Sequence, residues 1–188
     1  MWRTVIKMKM DLRKEVALPS GVHARLEGTM LHVKGPKGEA HKEFRHPKVK
    51  LNLENNTLVL AVPQATKREK TIIGSFWSHI KNMVQGVQEL HVYKLKICSG
   101  HFPMNVTISG REFMIKNFLG ETVPRKVTMP AEADVKIAGT DITVSSPDKE
   151  AAGLAAAKIE NLCRITNRDI RIFQDGCYIT HKVGKAVA

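Results

Sequence analysis

Cysteine is scarce in this chain. Cys98, Cys163 and Cys177 are scattered over 188 positions, an odd number without the spacing of a metal site or a disulfide framework. That excludes a cysteine-stapled secreted fold and fits ordinary thiols in a reducing compartment. No apolar run approaches the ~20 residues that span a bilayer. The basic start Met1-Trp-Arg-Thr-Val-Ile-Lys7 is not followed by the apolar stretch of a secretory signal. A soluble chain with no membrane partner is expected. The eight histidines show no ligand spacing, so neither a metal nor a cofactor is expected. Nor does Gly35-Pro-Lys-Gly38-Glu39 form a phosphate loop, because no Ser or Thr follows a Gly-Lys pair after a strand. Cys98 and His101 stand three apart with no further catalytic partner in the pattern, and an enzyme is not expected.

Acidic residues are the other shortage. Asp and Glu number 18 against 30 Lys and Arg, a formal charge of +12 and a pI near 9.8. Such an excess points to a polyanionic partner whose phosphates release counterions on contact, nucleic acid foremost. Residues 1–88 carry 16 basic against 7 acidic residues and residues 89–188 carry 14 against 11, so the halves stand at +9 and +3. Charge alone therefore puts RNA on the first half.

What the chain has in place of these is repetition. Lys34, Gly38 and Glu39 recur as Lys116, Gly120 and Glu121, a shift of 82 positions. Gly74, Ile80 and Asn82 recur as Gly153, Ile159 and Asn161, a shift of 79. Two aligned blocks in one order mark a duplicated unit of about 80 to 90 residues, long enough for a small domain with its own core.

In the first copy, alternating stretches at 24–27, 30–34 and 39–45 read as a hairpin series with its tip at Gly35-Pro36-Lys37-Gly38. Strands at 49–53 and 57–62 follow. Thr66-Lys-Arg-Glu69 has the form of a capping box, and Ile72, Ile73, Phe76, Trp77, Ile80, Met83 and Val84 recur at helical spacing to Gly86. In the second copy, strands are expected at 92–98, 106–109, 112–116, 122–128, 135–138 and 141–144. Ser146-Pro147 should cap an Ala-rich helix to Leu162. The fold class is α+β: two tandem duplicated domains, residues 1–88 and 89–188, each a mostly antiparallel sheet packed against one long helix. A hinge is expected near 85–89.

The second copy ends in a segment that the first lacks. Arg164, Arg168, Arg171, Lys182 and Lys185 surround Phe173 and Tyr178. Guanidinium forks can bridge phosphates, and rings can pack on riboses or bases. The simpler reading places both rings partly in the core, closing the second sheet, with Asp175-Gly176 as a turn.

Val33-Lys-Gly-Pro-Lys-Gly38, His101-Phe-Pro-Met-Asn-Val106, Asn117-Phe-Leu-Gly-Glu121 and Arg171-Ile-Phe-Gln-Asp-Gly-Cys-Tyr-Ile179 together resemble one family. It is the large-subunit ribosomal protein numbered six in bacteria and nine in eukaryotes, in its archaeal/eukaryotic form. The resemblance covers nearly the whole chain. It implies a structural constituent of the cytoplasmic large ribosomal subunit that grips large-subunit rRNA near the sarcin–ricin loop. Neighbouring ribosomal proteins, and translational GTPases docking nearby, are its implied partners. Carried over by motif, the RNA-contacting positions are Lys116, Asn117, Phe118, Arg125 and Lys126 on the second hairpin, with Arg164, Arg168, Arg171, Tyr178, Lys182 and Lys185 in the tail. That choice opposes the charge count, and it rests on where charge clusters more than on a half's total. A free-standing RNA-binding module or processing factor would share the basic tail, and sedimentation separates the two.

Overall fold

The computed structural model describes residues 10–54 and 56–186, and the side chain of Lys185 falls outside that description. The chain divides into two compact units between Glu89 and Leu90.

The first unit runs β1 (Met10–Ala17), β2 (His23–Glu27), β3 (Met30–Gly35), β4 (Gly38–Glu43), β5 (Lys50–Glu54), β6 (Thr57–Ala65) and α1 (Lys67–Gln88). Its strands form two antiparallel sheets, ordered β1-β6-β5 and β2-β3-β4. Alternation buries Leu31 and Val33 from β3, while β6 buries Leu58, Leu60 and Val62. Against them α1 lays Ile73, Ile80, Met83, Val84 and Val87. Each such side chain removed from water contributes roughly 1.5–3 kcal/mol.

The capping box is present. The Glu69 carboxylate accepts from the Thr66 backbone N–H at 2.9 Å and from the Thr66 hydroxyl. With Lys48 Nζ 3.1 Å away, these bonds, that of the Thr66 hydroxyl first, hold the carboxyl at about 2, against an ordinary 4.5. The helix does not stop at Gly86 but runs to Gln88. A glycine inside a helix costs only about 1 kcal/mol, and Val87 beyond it is fully buried, so packing outweighs the local preference. Strand β1 is unanticipated by pattern, because Lys14 takes an inward position between Leu12 and Val16. Its ammonium lies over the Trp77 ring, 4.8 Å from the centroid.

The second unit runs β7 (His91–Cys98), β8 (Asn105–Ser109), β9 (Glu112–Lys116), a tight turn at Phe118–Gly120, β10 (Arg125–Thr128), β11 (Asp134–Ala138), β12 (Asp141–Ser146), α2 (Lys149–Leu162), β13 (Gly176–Lys182) and β14 (Lys185–Ala186). Sheet β10-β9-β8 matches β4-β3-β2 of the first unit, and β7-β12-β11 matches β1-β6-β5. The α+β duplication with one long helix per unit is thus present, with the antiparallel strands of each unit divided between two sheets where one was expected. Ile80 and Ile159, equivalent by the repeat, are both fully buried.

Two details of the second unit depart from expectation. Ser146 does not cap α2. It ends β12 opposite His91, buried, and its hydroxyl accepts from the Asp148 N–H at 3.1 Å. Asp148 is the cap, its carboxylate accepting from Glu150 N–H at 3.0 Å. Beyond α2 the chain returns as β13, which pairs with the free edge of β7 and extends the sheet to β11-β12-β7-β13-β14. The first unit has no counterpart of β13 among the described residues.

Candidate nucleic-acid interface

The second hairpin presents fewer contacts than its sequence promises. Lys116, at the end of β9, and Lys126, on β10, are exposed, with Lys126 Nζ 3.6 Å from Glu112. Asn117 adopts a left-handed conformation (φ 58°), and its side-chain amide donates to Pro103 O at 3.1 Å. Leu119 follows with φ 49°. These two reversals turn the tip inward, so Phe118 is only 1% exposed. Phe118 is therefore not the open stacking surface that the tip sequence suggests.

The ring of Phe118 is roofed by the Arg125 guanidinium, 4.3 Å from its centroid. Arg125 grips Glu121 with two bonds, Nε at 2.8 Å and Nη2 at 2.6 Å. Its Nη1 donates to Leu162 O at 2.8 Å and Arg164 O at 3.0 Å. The last carbonyls of α2 lack intrahelical donors, and a cation at that end is favoured by the helix dipole. Arg125 supplies both, which makes it a clamp between the hairpin and the start of the tail. The bond to Arg125 holds the Glu121 carboxyl below its ordinary value, against the opposing effect of burial.

From that clamp the tail leaves as an exposed loop. Arg164 and Arg168 point to solvent, and Arg168 sits over the Phe173 ring at 5.0 Å. The other ring partner of Phe173 is His101, 4.9 Å between ring centroids and tilted by 35°. Phe173 is half-buried against the core. Arg171 is 87% exposed and forked onto Asp169, with Nη2 at 2.8 Å. Exposed pairs of this kind are worth little and are readily exchanged for a phosphate.

Asp175-Gly176 is no turn. Asp175 is 1% exposed, and its Oδ1 accepts from the Gly100 N–H at 2.5 Å and the His101 N–H at 3.3 Å. Burial by itself would raise this carboxyl, but the two N–H groups and the His101 ring hold it below its ordinary value. It stays a buried anion that ties the loop after β7 to the entry of β13. Gly176 opens β13 opposite Cys98. Tyr178 follows, 42% exposed, its hydroxyl donating to Gln174 O at 3.2 Å. Lys182 is exposed at the far end of the strand, and Lys185 lies in β14 with its side chain outside the described set.

Arg125 thus sits at the end of α2 bonded to Glu121 and to the main chain of Arg164, with Arg168 near enough to act on the same carboxylate, while Tyr178 and Lys182 stand apart on β13. Two residues the motifs do not mark share the open face with Tyr178. Lys94 and Lys96 are exposed on β7, and Lys96 is the register partner of Tyr178. Their signal was the alternation Tyr93-Lys94-Leu95-Lys96, in which Leu95 faces the core and both lysines face away from it. In the tail loop, Ile170 and Ile172 are 68% and 62% exposed. Among the described residues no group of His, Cys, Asp or Glu is arranged to hold a metal ion, and no helix is long and apolar enough to cross a membrane.

Comparison with known proteins adds an independent finding. Residues 18–90 and 102–176 match the family described as Ribosomal protein L6, one segment in each structural unit. The large ribosomal subunit protein uL6 of Nanoarchaeum equitans is 41% identical over 184 residues, 94% of this chain and 96% of that protein. Its counterparts in Haloarcula marismortui and Methanosarcina mazei are 39% and 38% identical over 176 and 175 residues. Those spans cover 94% and 93% of this chain and 99% of each relative.

Proposed function

The chain belongs to the ribosomal protein L6 family, and from that premise we propose that it is a structural constituent of the large ribosomal subunit. In that role it supports translation in the cytoplasm and binds large-subunit rRNA near the sarcin–ricin loop, beside neighbouring ribosomal proteins and the docking region of translational GTPases. The family match in both units carries this reading, and the net charge of +12 suits a polyanionic partner. The family is one of structural proteins, not of enzymes.

The second unit supplies the main grip. Lys116, Lys126, Arg164, Arg168, Arg171 and Lys182 face solvent and can each neutralise a phosphate, with Lys185 at the end of the same ribbon. Asn117 and Tyr178 offer an amide and a ring to riboses or bases. Phe118 and Arg125 act behind them, fixing the hairpin and the root of the tail. The first unit's larger charge makes additional, peripheral contacts.

Sedimentation of the tagged protein tests the ribosomal role: it should travel with large subunits and polysomes, and a profile confined to the top of the gradient overturns it. For the surface, affinity for an rRNA fragment should fall linearly in log salt. Arg168→Ala, Arg171→Ala and Lys182→Ala together should flatten that slope by roughly 0.9 per lost phosphate contact. An unchanged slope assigns these residues to structure.

A further inference from the structure

Beside the exposed arginines lies a cleft of about 670 Å³, lined by Ser99, His101, Ile172, Gln174 and Tyr178. Its chemistry differs from that of its surroundings. No lysine or arginine lines it, and the buried Asp175 carboxylate forms part of its wall, so a phosphate entering it would meet negative charge and no cation.

One wall is a flat ring held in place from two directions. The Tyr178 hydroxyl is tied to Gln174 O at 3.2 Å. Behind the ring stands Gly176, where a Cβ would lie 3.2 Å from both Cζ and the hydroxyl oxygen. A side chain at this position would push the ring back by a few tenths of an ångström, so the glycine lets it lie close against the strand. The remaining surface of the ring lines the cleft, as does Ile172, an aliphatic side chain left open to solvent. Gln174 donates its amide nitrogen to Arg171 O at 3.3 Å, which leaves its side-chain oxygen to accept, and Ser99 adds a hydroxyl.

We propose that this cleft holds a single unstacked nucleobase of the bound RNA. It would stack on Tyr178, pack against Ile172 and be read along its edge by Gln174 and Ser99, while the flanking Arg168 and Arg171 hold the adjoining phosphates. The inference rests on the RNA-binding reading above and deepens it. Single-stranded and bulged nucleotides are the elements of RNA that proteins read by stacking and base-edge hydrogen bonds. An acidic, ring-walled cleft inside a basic surface divides the labour between base and backbone.

The test compares two RNA hairpins of identical stem, one with a single bulged 2-aminopurine and one fully paired, titrated with the full chain. The bulged hairpin should bind more tightly by about 5- to 150-fold, the range expected of one base–aromatic stack, with quenching of the 2-aminopurine emission. Tyr178→Ala should abolish the excess and Tyr178→Phe should keep it. Ile172→Ala, at an exposed position, should reduce it without weakening the paired hairpin. Equal affinity for the two hairpins with an ordinary salt slope overturns the base site and leaves the RNA-binding reading standing. The same holds if Ile172→Ala and Tyr178→Ala both retain the full excess. No binding to either hairpin overturns both.

Discussion

In the first unit the tip between β3 and β4 reaches the end of α1 through its backbone. The Lys37 N–H donates to Val87 O at 3.0 Å, and Gly35 lies so close that a Cβ would stand 2.8 Å from the same oxygen. In the second unit the equivalent tip turns Phe118 into the core, and the last carbonyl of α2, with that of Arg164 just beyond the helix, falls to a side chain, Arg125. Both hairpins seal the C-terminal end of the long helix beside them. A glycine-rich tip can approach until main chain meets main chain. A bulky tip cannot, and the long reach of an arginine replaces it. A basic residue in a motif is therefore a phosphate ligand only if the fold has not already consumed its donors.

The contrast is broken most forcefully at the tips themselves. Phe118→Ala should cost about 3–5 kcal/mol, as for a fully buried aromatic, read by denaturant unfolding of the full chain and of a fragment spanning 89–188. We expect that fragment to unfold cooperatively by itself. A change within about 0.5 kcal/mol would place Phe118 at the surface after all.

Next in size are the two seals. Gly35→Ala forces a methyl into the Val87 carbonyl and should cost about 1–3 kcal/mol. Arg125→Ala strips donors from Leu162 and Arg164 and should cost a similar ~1–3 kcal/mol. Arg125→Lys should not restore it, since one ammonium cannot reproduce the planar fork. The RNA salt slope of Arg125→Ala should match that of the unaltered protein. A slope smaller by roughly 0.9 would return Arg125 to the phosphate contacts and undo the comparison.

Acid should act on the first unit through its helix cap. Glu69 ionises at about 2 in the fold against an ordinary 4.5, so its stabilisation is fully present above pH 4.5 and is lost as pH falls towards 2. Glu69→Gln should weaken the protein near neutral pH and flatten its acid destabilisation between those values, followed by circular dichroism. An identical acid profile would remove Glu69 from the account. The smallest effect should be that of Lys37→Ala, whose side chain is exposed while its contribution to the seal is a backbone N–H that alanine retains. Stability within about 0.5 kcal/mol and normal incorporation into large subunits are expected. Exclusion from subunits would make the first unit the principal anchor.

Sequence spoke clearly where the physics is local. The hairpin of β2 and β3, the Thr66–Glu69 box and the buried stripe of α1 each depend on residues within a few positions of one another. It misled where a partner far along the chain decides. Ser146 beside Pro147 has the chemistry of a cap, yet pairing with His91 draws it into β12. Phe118 looks like an open tip until two left-handed residues and Arg125 enclose it. Asp175 before a glycine looks like a turn, and its carboxylate instead serves N–H groups at positions 100 and 101. The basic tail was legible as chemistry but not as a strand beside β7, because its register is set by residues about 80 positions upstream.

That late pairing has a consequence for the order in which the molecule can be made. Strand β7 lies between β12 and β13, so during synthesis the second unit can collect β11, β12 and α2 while one edge of β7 still exposes unpaired N–H and C=O groups. An open edge of that kind invites wrong partners. Only when residues 176–182 emerge does the edge close and Cys177 enter the core. In a chain made from its N-terminus, with domains folding in turn, the ribbon bearing Tyr178 is thus added to the second unit's own sheet after β11, β12 and α2 are available, and the surface proposed to meet RNA is completed only at that step.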